Sequence, residues 1–350
     1  MTTLADTIRD YLRKQWPDCE DVRVEGLRDV PGGWSKETHR FDAHVVRGGE
    51  STILPLILRI DTDPMAALLQ NSRALEHELL RRLREHTEVP VPQSYFVEMD
   101  PATFGRPAMI IERIAGCTEP TSLFKSPEGA AAAEGVARDL CEKLAALHTA
   151  DVRLLNGDGL FNDPRGVGIT PDTWDHYMDG MTSYFINNYN TIDFDTLPVH
   201  FDAFLFMRRN RPRPLPLCLV HGELNPYNLV FEGGELKGII DWEMGQLGDP
   251  RQDLGYFRCF ERLTGTRFFD SVSHPGGFLG YYNQLTGFDV TPAELDYFEM
   301  FGISVVSMQS VASVKRRVQG KHQEILHMYM IQPSMGVAAA FAQILEKNPR

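Results

Sequence analysis

The hydrophobic positions of the first third of the chain recur mostly at strand spacing, with two helical exceptions. Leu4–Gln15 repeats apolar residues every three or four positions, which predicts a short amphipathic helix. Ala66–His86 repeats leucines at the same spacing and predicts one principal helix. The strand-like stretches are Val22–Leu27, His39–Val46, Thr52–Ile60, Tyr95–Glu98 and Pro107–Ile111, of which Thr52–Ile60 and Pro107–Ile111 are apolar runs. A mostly antiparallel sheet with one main helix is therefore expected.

Beyond residue 115 the apolar pattern becomes helical. Ala130–His148 predicts a helix, residues 174–209 predict more helix, and two long helices are expected over Ala293–Gln319 and Glu324–Glu346. This change of pattern predicts an α+β chain with two lobes. The boundaries that we expect are 1–114 for the sheet-rich lobe and 115–350 for the helical lobe.

A short hairpin in the second lobe brings polar side chains together. Leu229–Glu232 and Glu235–Ile240 are strand-like runs separated by two glycines, which is typical of a two-residue β-turn. Closing that hairpin would place Asn228 opposite Ile239, so that Asp241 points to the same face as Asn228. Their backbones would lie roughly 8 Å apart. An amide oxygen and a carboxylate at that separation can share a hard cation such as Mg²⁺.

Three motifs follow one another over residues 221–254. The sequence HGELNPYN at 221–228 resembles the H-G-D-x-x-x-x-N catalytic loop of aminoglycoside phosphotransferases and choline-kinase-like enzymes. IDWE at 240–243 resembles the family's metal-binding element, and GDPRQDL at 248–254 resembles its G-D-P-x-x-D-L signature. The resemblance implies a two-lobed protein-kinase-like fold, with an antiparallel-sheet N-terminal lobe and a mostly helical C-terminal lobe.

The resemblance also implies roles for residues of the catalytic and metal-binding motifs. Asn228 and Asp241 match the Mg²⁺ ligands, and His221 matches a residue that braces the catalytic loop. Glu223 stands where the family has its catalytic Asp, and Asp253 is expected to anchor the loop rather than to react.

In the first lobe the resemblance implies a nucleotide site. Residues 32–36, with Ser35 and Lys36, resemble the loop over the nucleotide phosphates, although G-x-G-x-x-G is absent. Arg59 occupies the place of the phosphate-contacting Lys of protein kinases, and its fork suits phosphate oxygens. Glu76 matches the helix carboxylate that pairs with this cation, with Glu78 as a rival; an ordinary surface ion pair is the alternative. The backbones of Glu112 and Ile114 are expected to meet adenine.

Glu223 leaves three interpretations open. A longer side chain moves the carboxylate by about 1 Å or more, and a misplacement of that size can lower the rate about 10²-fold. The first interpretation is a working kinase whose Glu223 serves as the base. The second is a nucleotide-binding protein with little transfer activity. The third is a different reaction on the same scaffold. The intact Asn228 and Asp241 favour the first.

The implied activity is transfer of the γ-phosphoryl group of ATP, with Mg²⁺, to a hydroxyl of a small molecule. A protein acceptor is a weaker hypothesis, because the helical insert before the catalytic loop resembles the small-molecule branch. Aminoglycosides, macrolides, amino alcohols and hydroxyacyl thioesters all stay open as acceptors. ATP and GTP are not distinguished by the sequence, and neither are a monomer and a homodimer.

Charge narrows the choice of partners. The 350 residues hold 35 Lys+Arg and 48 Asp+Glu, a net charge of −13, which argues against nucleic-acid and anionic-membrane partners. Residues 151–207 hold 9 acidic and 2 basic side chains, so their net charge is 2 − 9 = −7. An acidic rim there would attract a cationic acceptor, with plain solubility as the alternative. The basic cluster over 208–213 is expected to be a solvated loop or a phosphate-facing patch.

The cysteines and the N-terminus bear on location. The five cysteines lie far apart and include no C-x-x-C pair, which favours free thiols in a reducing compartment. The first residues lack the basic and apolar regions of a signal peptide, and no apolar run is long enough to span a membrane. A cytoplasmic location is expected.

Overall fold

The computed structural model describes residues 2–30, 36–61, 72–191, 198–318 and 331–347. The expected starts and ends of helices at Ala66, Gln319 and Glu324 lie outside these residues.

The N-terminal lobe is a five-stranded antiparallel sheet with the strand order β1-β2-β3-β5-β4. Its strands are β1 (Asp21–Asp29), β2 (Lys36–Arg47), β3 (Glu50–Asp61), β4 (Ser94–Glu98) and β5 (Ala108–Glu112). Three helices accompany them: α1 (Leu4–Gln15), α2 (Arg73–His86) and the short α3 (Pro101–Phe104). Residues 108–111 of β5 are all buried, which explains why this strand was predicted from an apolar run rather than from an alternation.

The C-terminal lobe is mostly helical. Its helices are α4 (Pro127–His148), α5 (Val152–Asn156), α6 (Trp174–Thr191), α7 (Pro198–Arg209), α8 (Arg251–Thr264), α9 (Phe268–Ser271), α10 (Gly277–Thr286), α11 (Pro292–Val318) and α12 (Ile331–Lys347). Its short strands are β6 (Cys218–Val220), β7 (Leu229–Glu232), β8 (Glu235–Ile239) and β9 (Gln246–Gly248). The pairs β6–β9 and β7–β8 each form a two-stranded sheet. The predicted α+β, two-lobed class is confirmed.

Three hydrophobic clusters organise this architecture. One lies between α1 and the sheet, and a second joins α6, α7, α11 and α12. The third crosses between the lobes: Leu79 and Leu83 of α2 share it with Leu140 of α4 and with Trp242. The segment that contains the IDWE motif is therefore packed against the helix that contains Glu76.

The register expected for the β7–β8 hairpin is wrong by one residue at its open end. Leu229, and not Asn228, lies opposite Ile239, because Lys237 is an extra residue between two pairs of the ladder. The backbone N–H of Ile240 instead donates to the carbonyl of Asn228 at 2.9 Å. Asp241 thus follows directly after the residue that is bonded to Asn228, and the two site residues still come together.

The structure bears on two further expectations. None of the helices in the described residues is both long and apolar enough to cross a membrane. All five cysteines are free thiols. The boundary between residues 114 and 115 stays a prediction, placed just after the end of β5 at Glu112.

Candidate active site

The catalytic loop is fixed through its backbone. Gly222 has φ +85°, and a Cβ there would lie 2.3 Å from the carbonyl oxygen of Met244, so only glycine fits the turn. The N–H groups of His221 and Gly222 donate to the two carboxylate oxygens of Asp253 at 2.8 and 2.9 Å. Asp253 is completely buried in the first turn of α8. It anchors the loop, as its place in the motif implied.

Asp253 has a second buried partner. Its Oδ2 lies 3.2 Å from Nε2 of His148, whose Nδ1 lies 2.8 Å from the hydroxyl of Tyr282. Burial works to raise the pKa of Asp253, but the hydrogen bond and charge of His148 and the backbone N–H of His221 keep that pKa below its ordinary value. No role was predicted for His148, which the structure shows to be a structural partner of the loop.

His221 uses both ring nitrogens inside the protein. Its Nδ1 accepts from the N–H of Glu223 at 3.3 Å, and its Nε2 lies 2.9 Å from the carbonyl of Ile240. The ring centroid lies 4.5 Å from that of Trp242, and the side chain is fully buried. These contacts tie the catalytic loop to the IDWE motif and suit a bracing role better than a reacting one.

Glu223 and Asn228 are held by one short turn. The side-chain amides of Asn225 and Asn228 donate to the carbonyl oxygen of Glu223 at 3.0 and 3.1 Å. The amide nitrogen of Asn228 is thereby engaged, which leaves its Oδ1 as the atom that can bind a cation. The side chains of Glu223 and Asn228 are half-buried at this loop.

Asp241 leaves the hairpin in an unusual conformation. Its φ is +66°, one of two positive values at non-glycine residues within the described residues. Its side chain retains 32% of its exposed area, and its Oδ1 accepts from Nη2 of Arg59 at 2.6 Å. Burial favours a raised pKa for Asp241, but the charge and hydrogen bond of Arg59 lower that pKa below its ordinary value. Asp241 is therefore a carboxylate whose Oδ1 is paired with Arg59 in this structure.

Arg59 connects three carboxylates. Its Nη1 donates to Glu76 at 2.7 Å, and its Nη2 lies 3.8 Å from Glu243 as well as bonding Asp241. Arg59 is 9% exposed and Glu76 is 4% exposed, so this is not an ordinary surface pair. The rival Glu78 pairs instead with Arg81 and Arg82 of its own helix.

A second arginine, Arg73, completes this group. It is fully buried at the start of α2 and donates to Glu76, to Asp61 at 2.7 Å and to Glu243 at 3.0 Å. The sequence reasoning missed Arg73 and Glu243. Two features of the sequence could have indicated them. Arg73 precedes Glu76 by three residues, a spacing at which helix side chains pair, and Glu243 ends the IDWE motif. We call these six residues, Arg59, Asp61, Arg73, Glu76, Asp241 and Glu243, the charge cluster.

The remaining predicted nucleotide contacts are only partly described. Ser35 lies outside the described residues, and of Lys36 only the backbone is described, as the first residue of β2. The N–H of Glu112 donates to Gln93 at 2.8 Å, so adenine would have to use the carbonyl of Glu112. Ile114 packs against Gly238, where a Cβ would lie 2.4 Å from its side chain. These roles stay predictions.

Arg165 is a further residue near the site that was not predicted from the sequence. It donates to Oε1 of Gln246 at 2.5 Å, while its Nε is buried without a hydrogen-bond partner among the described residues. Burial lowers the pKa of Arg165, against the opposing charges of Tyr184 and Glu223. This guanidinium therefore lies within the electrostatic reach of Glu223.

The GDPRQDL signature is a structural brace. Asp249 accepts from the indole N–H of Trp174 at 2.6 Å and from Arg251 at 2.6 Å. Arg251 in turn donates to Glu294 at 3.0 Å, and its guanidinium lies 4.9 Å from the ring centroid of Phe298. Asp249 and Arg251 are fully buried, so this motif joins α6, α8 and α11 behind the catalytic loop.

Comparison with known proteins agrees with this geometry. A model of the phosphotransferase enzyme family APH matches residues 26–277. A protein of Arabidopsis thaliana named for an acyl-CoA dehydrogenase, IBR3, is 31% identical over 250 residues, which is 66% of this chain and 29% of that protein. This chain thus spans less than a third of that relative's length.

Solved structures show the same fold. A Ralstonia eutropha JMP134 protein assigned to the aminoglycoside phosphotransferases superposes with a TM-score of 0.69 at 19% identity, covering 98% of both chains. A thermostable mutant of aminoglycoside phosphotransferase APH(4)-Ia, in ternary complex with ADP and hygromycin B, gives 0.63 at 17% identity, covering 97% of this chain and 98% of that one.

The fold defined by these two lobes is that of the protein-kinase-like phosphotransferases. Because the family model covers more than half of the chain, the protein belongs to the phosphotransferase enzyme family APH.

Proposed function

We propose that this protein is a small-molecule kinase that transfers the γ-phosphoryl group of ATP to a hydroxyl acceptor with the help of Mg²⁺. The observation that carries the proposal is the charge cluster. Two guanidinium groups face four carboxylates, and one of these carboxylates, Asp241, follows directly after the residue that is hydrogen-bonded to Asn228. A carboxylate and an amide oxygen brought together in this way suit a divalent cation.

The donor set fits Mg²⁺. Asp241 and the Oδ1 of Asn228 are hard oxygen ligands, and Mg²⁺ characteristically takes one or two protein oxygens together with phosphates and water. Within the described residues no group of three or more His, Cys, Asp or Glu side chains is placed to hold a metal ion, so phosphate and water oxygens would have to complete the coordination. The ion would neutralise charge on the transferring phosphoryl group.

Residues of this chain would bind the nucleotide and activate the acceptor. Arg59, with Ser35 and Lys36 of the loop at 32–36, would contact the nucleotide phosphates. The backbones of Glu112 and Ile114 would hold the adenine. Glu223 would accept the proton of the attacking hydroxyl, and His221 would hold the loop against the metal-binding motif.

The second candidate is a nucleotide-binding protein with little transfer activity. The observation that favours it is the extra methylene at Glu223, in a loop whose backbone is fixed on both sides of that residue. A loop that is fixed in this way has little freedom to compensate for the longer side chain.

The acceptor is a hydroxylated small molecule whose identity stays open. Relatives are named for acyl-CoA dehydrogenases and for hygromycin-B 4-O-kinase of Escherichia coli. A cationic acceptor stays a prediction, and two of the carboxylates that suggested it are engaged in the protein: Asp158 pairs with Arg82 and Asp179 with Arg211. A cytoplasmic location and a monomeric or homodimeric state also stay predictions.

A mass-shift screen tests the proposal. Purified protein with Mg-ATP is incubated with pooled hydroxyl compounds, and Asp241→Asn serves as the matched control. We expect one pool to gain a phosphoryl group with the wild type and not with the control. Tight Mg-nucleotide binding with no phosphorylated product in any pool would favour the second candidate.

A further inference from the structure

Arg59 has two incompatible partners in the proposed reaction. In this structure its Nη2 donates to Asp241, the expected metal ligand, at 2.6 Å. The proposed function requires the same guanidinium to contact nucleotide phosphates and the same carboxylate to bind Mg²⁺. The bond between Arg59 and Oδ1 of Asp241 therefore competes with binding of the Mg-nucleotide complex.

Giving up Asp241 is possible only if the other carboxylates of the charge cluster keep a counter-ion. Glu76 and Glu243 are both nearly fully buried, with side-chain exposures of 2% and 4%. Removing the only partner of a buried charge is strongly unfavourable. If Arg59 were that only partner, these carboxylates would hold it in place.

Arg73 supplies the missing counter-ion. It donates to both Glu76 and Glu243, and its third contact, with Asp61 at the end of β3, fixes its own position. Its fork shape lets one residue satisfy three carboxylates at once. Unlike Arg59, it has no contact with Asp241 among the ion pairs of the described residues.

We propose that Arg73 is a positioning residue that neutralises Glu76 and Glu243 permanently, and so frees Arg59 to exchange Asp241 for nucleotide phosphates. Arg73 is the fixed counter-ion, and Arg59 is the exchangeable one. This inference rests on the proposed nucleotide site.

The test measures equilibrium affinity for Mg-ADP by titration calorimetry, without turnover. We compare the wild type with Arg73→Met, Glu243→Gln and the double variant. Arg73→Met removes a guanidinium bond from both Glu243 and Glu76 and so strengthens their hold on Arg59, and we expect it to weaken Mg-ADP binding by about tenfold or more. In the double variant Glu243 no longer competes, so most of the lost affinity should return.

The rescue separates positioning from simple packing. A structural role for Arg73 would leave the double variant at least as weak as the single one, and that result would overturn the inference, as would unchanged affinity in Arg73→Met. Arg81→Met is the matched control, because Arg81 lies on the same helix in exposed pairs with Glu78 and Glu85. Its affinity should equal that of the wild type.

Two further results keep the test decisive. If Arg73→Met does not fold, as judged by circular dichroism, Arg73→Lys replaces it; a lysine lacks the fork, so weaker binding and rescue by Glu243→Gln are again expected. If the wild type itself binds no Mg-ADP, the proposed function fails. If the wild type binds and the Arg73 variants bind equally well, only this inference fails.

Discussion

At the scale of single residues, the proposed activity depends on where the carboxylate of Glu223 lies. Glu223 is longer than the aspartate of the family's motif, and its backbone is held by His221 and by the amide of Asn228. A base needs only to reach the hydroxyl proton in the bound complex. Because the loop backbone is fixed, a substitution at Glu223 should change the position of the carboxylate and little else.

Replacing Glu223 should separate its role from that of the scaffold. We expect Glu223→Ala to lower kcat by about 10²–10⁴-fold, the usual contribution of a positioned base. Glu223→Asp should retain part of the activity, because it keeps the carboxylate but withdraws it by about 1 Å. Steady-state rates of phosphoryl transfer give the comparison. Equal rates in all three proteins would show that Glu223 is not the base.

Asp253 should be needed for stability as well as for the loop. Asn at this position cannot replace the charge that faces His148, so we expect Asp253→Asn to lower the free energy of unfolding by about 3 kcal/mol. The pKa of Asp253 is lowered in the folded state. Its stabilising effect is therefore present at neutral pH and is lost as the pH falls below about 4, where the unfolded carboxyl takes up a proton.

Urea unfolding at neutral pH and at lower pH measures this effect. The variant should lose less stability than the wild type on acidification, since it lacks the group that titrates. A variant as stable as the wild type at neutral pH would contradict the anchoring role of Asp253.

At the scale of secondary-structure elements, periodicity predicted most of the molecule. The α1 helix begins and ends where the apolar stripe does, and the five predicted strands lie within or next to those observed. An apolar stripe or run indicates burial directly, so these elements could be predicted from the sequence alone. The bulge at Lys237 could not be predicted from the apolar pattern. The pairing of β7 with β8 depends on how both ends of the hairpin pack against the rest of the lobe.

The candidate site was predictable in part for the same reason. His221, Glu223, Asn228 and Asp241 lie in contiguous motifs, so their proximity follows from one loop and one hairpin. Arg73 contacts Glu243, a residue 170 positions away, and no local pattern encodes that contact. Long-range partners of this kind are defined by the packing of whole lobes.

The junction of α8 and α9 contains a buried carboxyl group, that of Glu261, whose pKa is shifted. Burial raises the pKa of Glu261 to about 8, against the backbone N–H groups of Phe268 and Phe269 that lower it. The folded state therefore binds this proton more tightly than the unfolded state, and stability is lost as the pH rises from about 5 to about 8.

Glu261→Gln should remove that dependence. Between pH 5 and pH 8 we expect the wild type to lose on the order of 3 kcal/mol more unfolding free energy than the variant. Thermal or urea unfolding across this pH range is the measurement. Parallel pH profiles for the two proteins would mean that Glu261 is already ionised in the folded state.

At the scale of the whole molecule, two kinds of ion pair join the lobes. Arg82 of α2 reaches Asp158 at 2.6 Å, where the carboxylate is 54% exposed, whereas Arg59 reaches Asp241 in a largely buried setting. Exposed pairs contribute little to stability. The contact between lobes that matters for function is therefore expected to be the one inside the charge cluster.

Asp158→Ala tests whether the exposed ion pair between the lobes is unimportant for stability and for nucleotide binding. We expect it to change the free energy of unfolding by less than about 1 kcal/mol and to leave Mg-ADP affinity unchanged. Urea unfolding and calorimetric titration of the same protein give both values. A large loss of nucleotide affinity would show that the outer pair sets the arrangement of the lobes.

The central claim is that the charge cluster, with Asn228, holds a metal–nucleotide complex between the lobes. Its most direct test is the affinity for ADP with and without Mg²⁺, measured by titration calorimetry on the wild type and on Asp241→Asn. We predict that Mg²⁺ strengthens binding to the wild type and has little effect on the variant. Equal ADP affinity with and without Mg²⁺ in the wild type, or full metal dependence in Asp241→Asn, would contradict the account.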